Sequence, residues 1–278
     1  MPVGRRVRMG AACSLFLALP VVSARVRPAP EALEAFDRYA QVTEEELKSA
    51  AASKTFLNVD AAKQARIRGG EIVVTERERT GHGRDFEVRK GLIQDWEGVM
   101  FVPGATLDRF RSFLQDYNNY KKYYAPAVME SKLKQLQGDQ FDVFLRLYKN
   151  VVLPVVLNVD YRIQYSFPRP NLMMPNRMLP SRMIIVSRST RIGEVRNPFK
   201  PEGPEYPPEN DSGFLWRLNT YWRAEEADGG VYARCEAISL SRDAPLGLGI
   251  ILKGFLAHFP KESMADTMRQ TREALAKH

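Results

Sequence analysis

A series of strand-like segments fills residues 127–242, and it limits the possible folds more than any other feature of the chain. The clearest segment is residues 155–167, in which apolar and polar side chains alternate. Val159, Tyr161, Ile163, Tyr165 and Phe167 fall on one side of this segment, and Asp160, Arg162 and Gln164 fall on the other. A period of two is typical of an antiparallel sheet that has one buried and one solvated face. We therefore expect an antiparallel sheet in this half of the chain.

Short turns between the segments indicate that neighbouring strands pair as hairpins. Residues 138–139 (Gly-Asp) separate two segments, and residues 228–229 (Asp-Gly) separate two more. Gly and Asp tolerate the positive φ that tight hairpin turns require. The sequence predicts about six antiparallel strands here, with a further strand before residue 103.

Helical spacing predicts one helix before this sheet and a longer helix after it. The first has Leu107, Phe110, Leu114 and Tyr117 on one face, with Thr106 as its cap. The last helix is expected to carry Pro260 in its first turn, because proline is well tolerated there. Its predicted buried face consists of Met264, Met268, Thr271 and Leu275.

A helical prefix precedes the strands. Residues 30–66 predict three helical segments. The second is expected to open at a capping box formed by Thr43 and Glu46, and Asp60 is expected to cap the third. We expect this prefix to pack against the larger unit that follows it.

The order of elements resembles the START-like helix-grip superfamily, which includes lipid-transfer START domains, the major birch pollen allergen and polyketide cyclases. Residues 91–120 and 229–275 carry the resemblance, which extends over residues 71–278. It implies an α+β fold in which a curved antiparallel sheet grips a long C-terminal helix, with an apolar cavity between them. No set of functional residues is common to the superfamily, so none is transferred to this chain.

The N-terminal 24 residues are typical of a secretory signal peptide. Arg5, Arg6 and Arg8 precede a short apolar run, and small residues precede an expected cleavage after Ala24. The apolar run is too short to span a bilayer. The expected organisation is therefore a signal peptide at residues 1–24, a helical extension at 25–70 and a START-like domain at 71–278, in a secreted or periplasmic protein.

Charge and cysteine content restrict the possible partners. The 41 Lys and Arg residues are interspersed with 33 Asp and Glu residues and form no basic stripe, which argues against nucleic acid. The formal net charge of +8 falls by three when the signal peptide is removed, and the remaining excess suits peripheral contact with an anionic membrane surface. Cleavage also leaves Cys235 as the one cysteine, so no intramolecular disulfide is expected.

Aromatic residues in the predicted strands are the candidate ligand-binding residues. We expect Trp216 and Trp222 to form one cavity wall, with ordinary core as the alternative for these rings. We expect Tyr161, Tyr165 and Phe167 to form a second wall, with hydroxyls that reach solvent at the sheet's edge as the alternative. Phe255, in the apolar run of residues 247–259, and Arg191 complete the candidate set. Other arginines of the strands, such as Arg217 and Arg223, are expected on a solvated back face.

The sequence contains few motifs that are typical of enzymes. The sequence has three histidines, no G-x-S-x-G, no phosphate-binding loop and no His or Cys spacing that suits a metal. It therefore predicts no catalytic residue, metal or cofactor, and the first hypothesis is a protein that binds a hydrophobic small molecule or lipid.

Two alternatives stay open from the sequence. One is a cyclase or aromatase on the same scaffold, with an acid–base pair drawn from Tyr161, Tyr165, Arg191 and Glu194. The other is a non-catalytic envelope protein that meets a partner through its helical prefix or its Pro-rich loops.

Overall fold

The protein is built around one eight-stranded antiparallel sheet with helices on both of its faces, as described by a computed structural model. The structure describes residues 27–51, 53, 56–57, 59–77, 80–81, 84–85, 88, 91–150, 154–168, 182–207, 210–242 and 249–277. The predicted signal peptide at residues 1–24 lies outside them. The helices are α1 (Pro30–Ala51), α2 (Ala61–Arg68), α3 (Leu107–Gln115), α4 (Tyr120–Tyr123) and α5 (Gly249–Lys277), with a 3₁₀ turn at Tyr117–Asn119 between α3 and α4.

The strands follow the predicted order. They are β1 (Val73–Glu76), β2 (Thr80–Gly81), β3 (Arg84–Asp85), β4 (Leu92–Pro103), β5 (Val128–Gln137), β6 (Gln140–Asn150), β7 (Pro154–Ser166), β8 (Arg182–Glu194), β9 (Arg217–Ala227) and β10 (Gly230–Ser241). The sheet has the order β1-β4-β10-β9-β8-β7-β6-β5, and β2 pairs separately with β3. A strand, a helical pair, six antiparallel strands and a long last helix form the helix-grip arrangement that the sequence predicts.

The predicted hairpin turns are confirmed. Asp228 and Gly229 both have positive φ, 54° and 75°, as a tight hairpin turn between β9 and β10 requires. Gly138 has a φ of 58° in the turn between β5 and β6. Register shifts in the β5/β6 and β7/β8 pairs are of the kind that bends strands and increases their twist.

One face of the sheet, here called the cavity face, is covered by α5. The helix lies close against β4 at Gly98, where an added Cβ would come within 3.0 Å of Met264 and Met268. Met264, Met268, Thr271 and Leu275 are buried, as predicted. The predicted start is wrong, because α5 begins at Gly249 and Pro260 lies inside it. A proline within a helical pattern is compatible with the first turn of a helix, but it is also compatible with the interior of a longer helix. The sequence alone does not distinguish these two cases.

The opposite face, here called the back face, is covered by α1 and α2. Phe36, Tyr39 and Leu47 of α1 pack there in one cluster with Tyr221 and Ile238 of the sheet. Helix α1 is continuous, so the capping box predicted at Thr43 is wrong. The Thr43 hydroxyl instead donates to the Tyr39 carbonyl of the same helix, 3.0 Å away. Asp60 does cap α2, accepting from the Lys63 amide at 2.7 Å.

Burial of the back face corrects the prediction that its arginines are solvated. Arg223 is 8% exposed, and its Nη1 donates to the Phe56 carbonyl at 2.8 Å. Arg234 is 3% exposed, donates to the Leu57 carbonyl at 3.0 Å and pairs with Glu97. Burial lowers the pKa of Arg223 to about 10. The helical prefix therefore covers the back face over β4, β10 and β9, whereas Arg162 on the same face of β7 is exposed, as the alternation of that strand predicts.

The same packing buries apolar side chains of α1, the first helix of the prefix. Ala32, Phe36 and Leu47 of α1 are each 7% exposed or less. Because they are buried against the sheet, these residues do not form the exposed apolar patch that a partner-binding prefix would need. No helix within the described ranges is both long enough and apolar enough to cross a membrane.

Candidate functional site

A cavity of about 520 Å³ lies between the cavity face of the sheet and the helices that cover it. Its volume falls within the roughly 300–1,000 Å³ that small-molecule sites occupy in proteins. The sheet forms its floor, α5 forms one wall from Pro260 to Gln270, and the chain from Leu114 to Val128 forms one end. The lining is mainly aliphatic and aromatic, which suits an apolar ligand.

Two neighbouring rows of side chains cross the floor from strand to strand. The first, here called the apolar row, consists of Tyr165, Ile185, Trp222 and Cys235, each paired with the next across β7, β8, β9 and β10. The second, here called the polar row, consists of Ser187, Thr220, Ala237 and Trp96, paired in the same way across β8, β9, β10 and β4. Members of both rows line the cavity. The alternation of each strand thus places its cavity-facing residues side by side.

Tyrosines close one end of the cavity. The Tyr117 and Tyr165 hydroxyls lie 2.7 Å apart, and the Tyr165 hydroxyl also contacts the Leu114 carbonyl at 3.1 Å. Tyr120 donates to the same carbonyl. The Tyr124 hydroxyl lies 2.9 Å from that of Thr271 in α5. These four tyrosines, here called the tyrosine cluster, therefore satisfy their hydroxyls within the protein.

Burial makes the cluster neutral. It raises the pKa of Tyr117, Tyr120, Tyr124 and Tyr165 well above the ordinary value of 10.0. Burial likewise raises the pKa of Tyr161, which is 6% exposed. Phenols held neutral in this way are poor general bases near neutral pH, so the aromatic end contributes shape and apolar area rather than charge.

Charged groups border the cavity on its β6 and α5 side. Lys149 of β6 donates to the Ser263 hydroxyl at 3.1 Å, and burial lowers the Lys149 pKa while the nearby Asp266 opposes that change. Lys149, Glu262 and Asp266 are the charged residues among the described lining. The rows on the floor contain none.

Three of the predicted ligand-binding residues line this cavity together: Tyr161, Tyr165 and Trp222. Trp216 does not join them. It lies in the back-face cluster and its Nε1 donates to Asp211 at 3.3 Å. Trp216 precedes β9, which starts at Arg217, so the strand alternation does not extend to it. The prediction that the two tryptophans share one wall is therefore wrong.

The other candidates lie elsewhere. Phe167 follows the end of β7, is 41% exposed and lies under the Arg111 guanidinium, whose central carbon is 5.5 Å from the centre of the Phe167 ring.

Arg191 is exposed and pairs with Glu205. Glu194 accepts from the Ser212 amide at 3.1 Å and is not part of the described lining. The cyclase alternative requires Arg191 or Glu194 to lie beside Tyr161 and Tyr165. The structure does not bring these residues together. The side chain of Phe255 lies outside the described residues.

Sequence reasoning missed Trp96 and Lys149. Trp96 lies mid-strand in β4, 7% exposed, in the segment that carried the fold resemblance. Its signal was the pairing of β4 with β10, which places Trp96 opposite Ala237, and Ala237 separates it from Thr220 in the polar row. That pairing joins residues far apart in the chain, so no local pattern identifies it.

Comparison with known proteins gives structural similarity alone. No protein-family model and no curated protein matches the chain. Among solved structures, the ZhuI aromatase/cyclase from Streptomyces sp. R1128 superposes with a TM-score of 0.42 and 13% identity, over 67% of this chain and 95% of that one. A STAR-related lipid transfer protein from Xanthomonas axonopodis gives 0.41 and 15%, over 68% and 96%. Human STARD10 gives 0.41 and 14%, over 79% and 81%. Similarity at this level says nothing about ligand or activity.

Proposed function

We propose that this protein binds a hydrophobic small molecule or lipid in the cavity between its sheet and α5. The observation that carries the proposal is the cavity of about 520 Å³ with its mainly apolar floor and aromatic end. Each 100 Å² of apolar ligand surface that leaves water there contributes roughly 2.5 kcal/mol before the costs of association. The tyrosine cluster shapes the site, since its hydroxyls are already bonded within the protein.

We also propose that the protein works outside the cytoplasm, in the periplasm or as a secreted protein. Residues 1–24 and the expected cleavage after Ala24 support this location. The modest positive charge of the mature chain supports peripheral contact with anionic lipid. An intact mass of the protein recovered from its own host tests the cleavage, and retention of residues 1–24 would count against export.

The binding proposal is tested by native mass spectrometry of protein purified from its own host, followed by organic extraction. We expect a reproducible apolar adduct in the wild type and its loss in Trp222→Ala, which opens the apolar row. Trp216→Ala is the matched control, because it removes a tryptophan of the back face. A clean apo mass in every wild-type preparation, or equal loss of the adduct in both variants, would contradict the proposal.

A further inference from the structure

The polar row contains one buried hydrogen-bond donor without a partner and two hydroxyl side chains that line the cavity. Trp96 is 7% exposed and its Nε1 is buried with no acceptor. Ser187, which is 7% exposed, and Thr220, which is half-buried, line the same cavity and each contributes a hydroxyl. Buried polar groups in folded proteins are normally hydrogen-bonded, and each exception needs an explanation. A buried indole N–H without an acceptor, in line with two hydroxyls on a cavity floor, points to a ligand.

The three residues lie near one another because of the strand register. Ser187 of β8 is directly opposite Thr220 of β9, so their Cβ atoms are about 5 Å apart. Thr220 is opposite Ala237, and Ala237 is opposite Trp96. The methyl group of Ala237 leaves space above the floor between Thr220 and the indole. One ligand group placed over Ala237 could therefore contact both neighbours.

The chemistry of the row indicates the kind of group it takes. An indole N–H only donates, and a hydroxyl donates or accepts, so an oxygen acceptor satisfies every member. The row carries no charge, and the charged residues of the described lining, Lys149, Glu262 and Asp266, lie on the β6 and α5 side. A buried anion without a cation partner is strongly disfavoured. The row therefore suits a neutral oxygen rather than a carboxylate or phosphate.

We infer that the polar row binds a neutral oxygen acceptor, a carbonyl or hydroxyl, on an otherwise apolar ligand. The expected ligands are therefore apolar molecules that carry a neutral oxygen. Pure hydrocarbons do not fit this expectation, and neither do anionic lipids whose head group would contact the polar row. This inference rests on the proposed function, because it assigns a subsite within the same cavity.

Three rigid probes with one skeleton separate the possibilities: fluorene, which has no acceptor, 9-fluorenone, which has one carbonyl, and fluorene-9-carboxylate, which is an anion. Binding of each is measured by equilibrium dialysis with chromatographic quantification. One hydrogen bond to a buried donor predicts that fluorenone binds roughly three- to tenfold more tightly than fluorene. The carboxylate is expected to bind more weakly than either neutral probe.

Variants of the row test whether these residues cause the preference. Trp96→Phe keeps an aromatic ring and removes the N–H, and Thr220→Val removes a hydroxyl at nearly constant shape. Each is expected to reduce the fluorenone-to-fluorene ratio toward one, whatever its effect on the affinity for fluorene. Trp216→Phe, on the back face, is the matched control and should keep the ratio. Thr220→Val and Ser187→Ala keep the test decisive if Trp96→Phe folds poorly.

The outcomes separate this inference from the function on which it rests. Equal binding of fluorene and fluorenone, or a ratio that survives Trp96→Phe and Thr220→Val, overturns the polar row and leaves a hydrophobic binding site. Preference for the carboxylate overturns the neutral assignment. Failure of all three probes to bind counts against the cavity as a hydrophobic site, and so against the proposed function itself.

Discussion

The hydroxyls of Tyr117 and Tyr165 lie 2.7 Å apart and join the turn after α3 to the end of β7. The two residues are 48 positions apart in the chain, and both are 2% exposed or less. Tyr165 also reaches the Leu114 carbonyl at 3.1 Å, so one phenol connects a strand, a helix end and a second phenol. This contact closes one end of the cavity, which makes the shape of the site depend on it.

The first prediction concerns the strength of this link. Tyr165→Phe leaves the Tyr117 hydroxyl buried with a lost partner, so we expect the free energy of unfolding to fall by about 1–3 kcal/mol. The double variant Tyr117→Phe/Tyr165→Phe should lower the free energy of unfolding by less than the sum of the two single variants, because the two hydroxyls share one hydrogen bond. Urea unfolding monitored by circular dichroism measures each value. Tyr206→Phe, at a half-buried tyrosine whose hydroxyl makes an exposed hydrogen bond to the Arg196 carbonyl, is the control. Additive losses in the double variant would contradict the link.

The second prediction is a loss of stability in alkaline solution. Burial raises the pKa of Tyr117, Tyr124 and Tyr165 in the folded protein, while the unfolded chain ionises near 10. A raised folded pKa means that the unfolded state releases protons first, so the stabilisation is complete below pH 10 and declines as the pH rises above it. Phenolate absorbance should therefore appear for the tyrosine cluster together with loss of circular dichroism. Gradual ionisation of these residues in folded protein near pH 10 would show that they are not desolvated.

Local sequence patterns predicted most of the sheet. Alternation in residues 155–167 and the turn at residues 228–229 depend on near neighbours alone, and the structure has Cys235 opposite Trp222, as that turn requires. The cover of the back face was not predictable in the same way. It depends on contacts such as Arg234 to Leu57, across 177 positions, and a single sequence shows no pattern for such pairs.

The candidate site was predictable where strands are regular. Tyr161, Tyr165 and Trp222 lie within β7 and β9, so their shared side follows from alternation. Trp216 lies one residue before β9, and the break in alternation there is set by its contact with Asp211 and the back-face core. Trp96 required knowledge of which strand lies beside β10.

The third prediction concerns the buried pair of Glu97 and Arg234. Their side chains are 8% and 4% exposed, and Arg77 also approaches Glu97, at 3.6 Å. Removing one partner of a buried ion pair leaves an uncompensated charge, so Glu97→Gln should lower the free energy of unfolding by about 3–5 kcal/mol. Glu71→Gln, in the exposed pair with Arg66, is the matched control and should change stability little. Chemical denaturation of both variants measures the difference, and equal small effects would mean that the back-face network is solvated.

The fourth prediction compares the cost of removing two buried indole nitrogens. Trp216 and Trp96 are 4% and 7% exposed, but Trp216 donates to Asp211 at 3.3 Å, whereas the Trp96 nitrogen has no acceptor. Trp216→Phe loses a hydrogen bond and leaves a buried carboxylate with one partner fewer, while Trp96→Phe removes a donor that was already unpaired. In ligand-free protein we therefore expect Trp96→Phe to be less destabilising than Trp216→Phe by about 1–2 kcal/mol. Urea unfolding after organic extraction provides the measurement.

The difference between the two tryptophan variants should narrow when the cavity is filled. A bound acceptor gives the Trp96 nitrogen a partner, so the penalty for Trp96→Phe should grow on addition of 9-fluorenone while that for Trp216→Phe stays constant. Binding stabilises the folded state by an amount that increases with the logarithm of ligand affinity, so the shift in the unfolding midpoint reports the affinity. A Trp96→Phe penalty that is large in ligand-free protein and unchanged by fluorenone would show that the indole nitrogen already has a partner in the folded chain and does not bind the ligand.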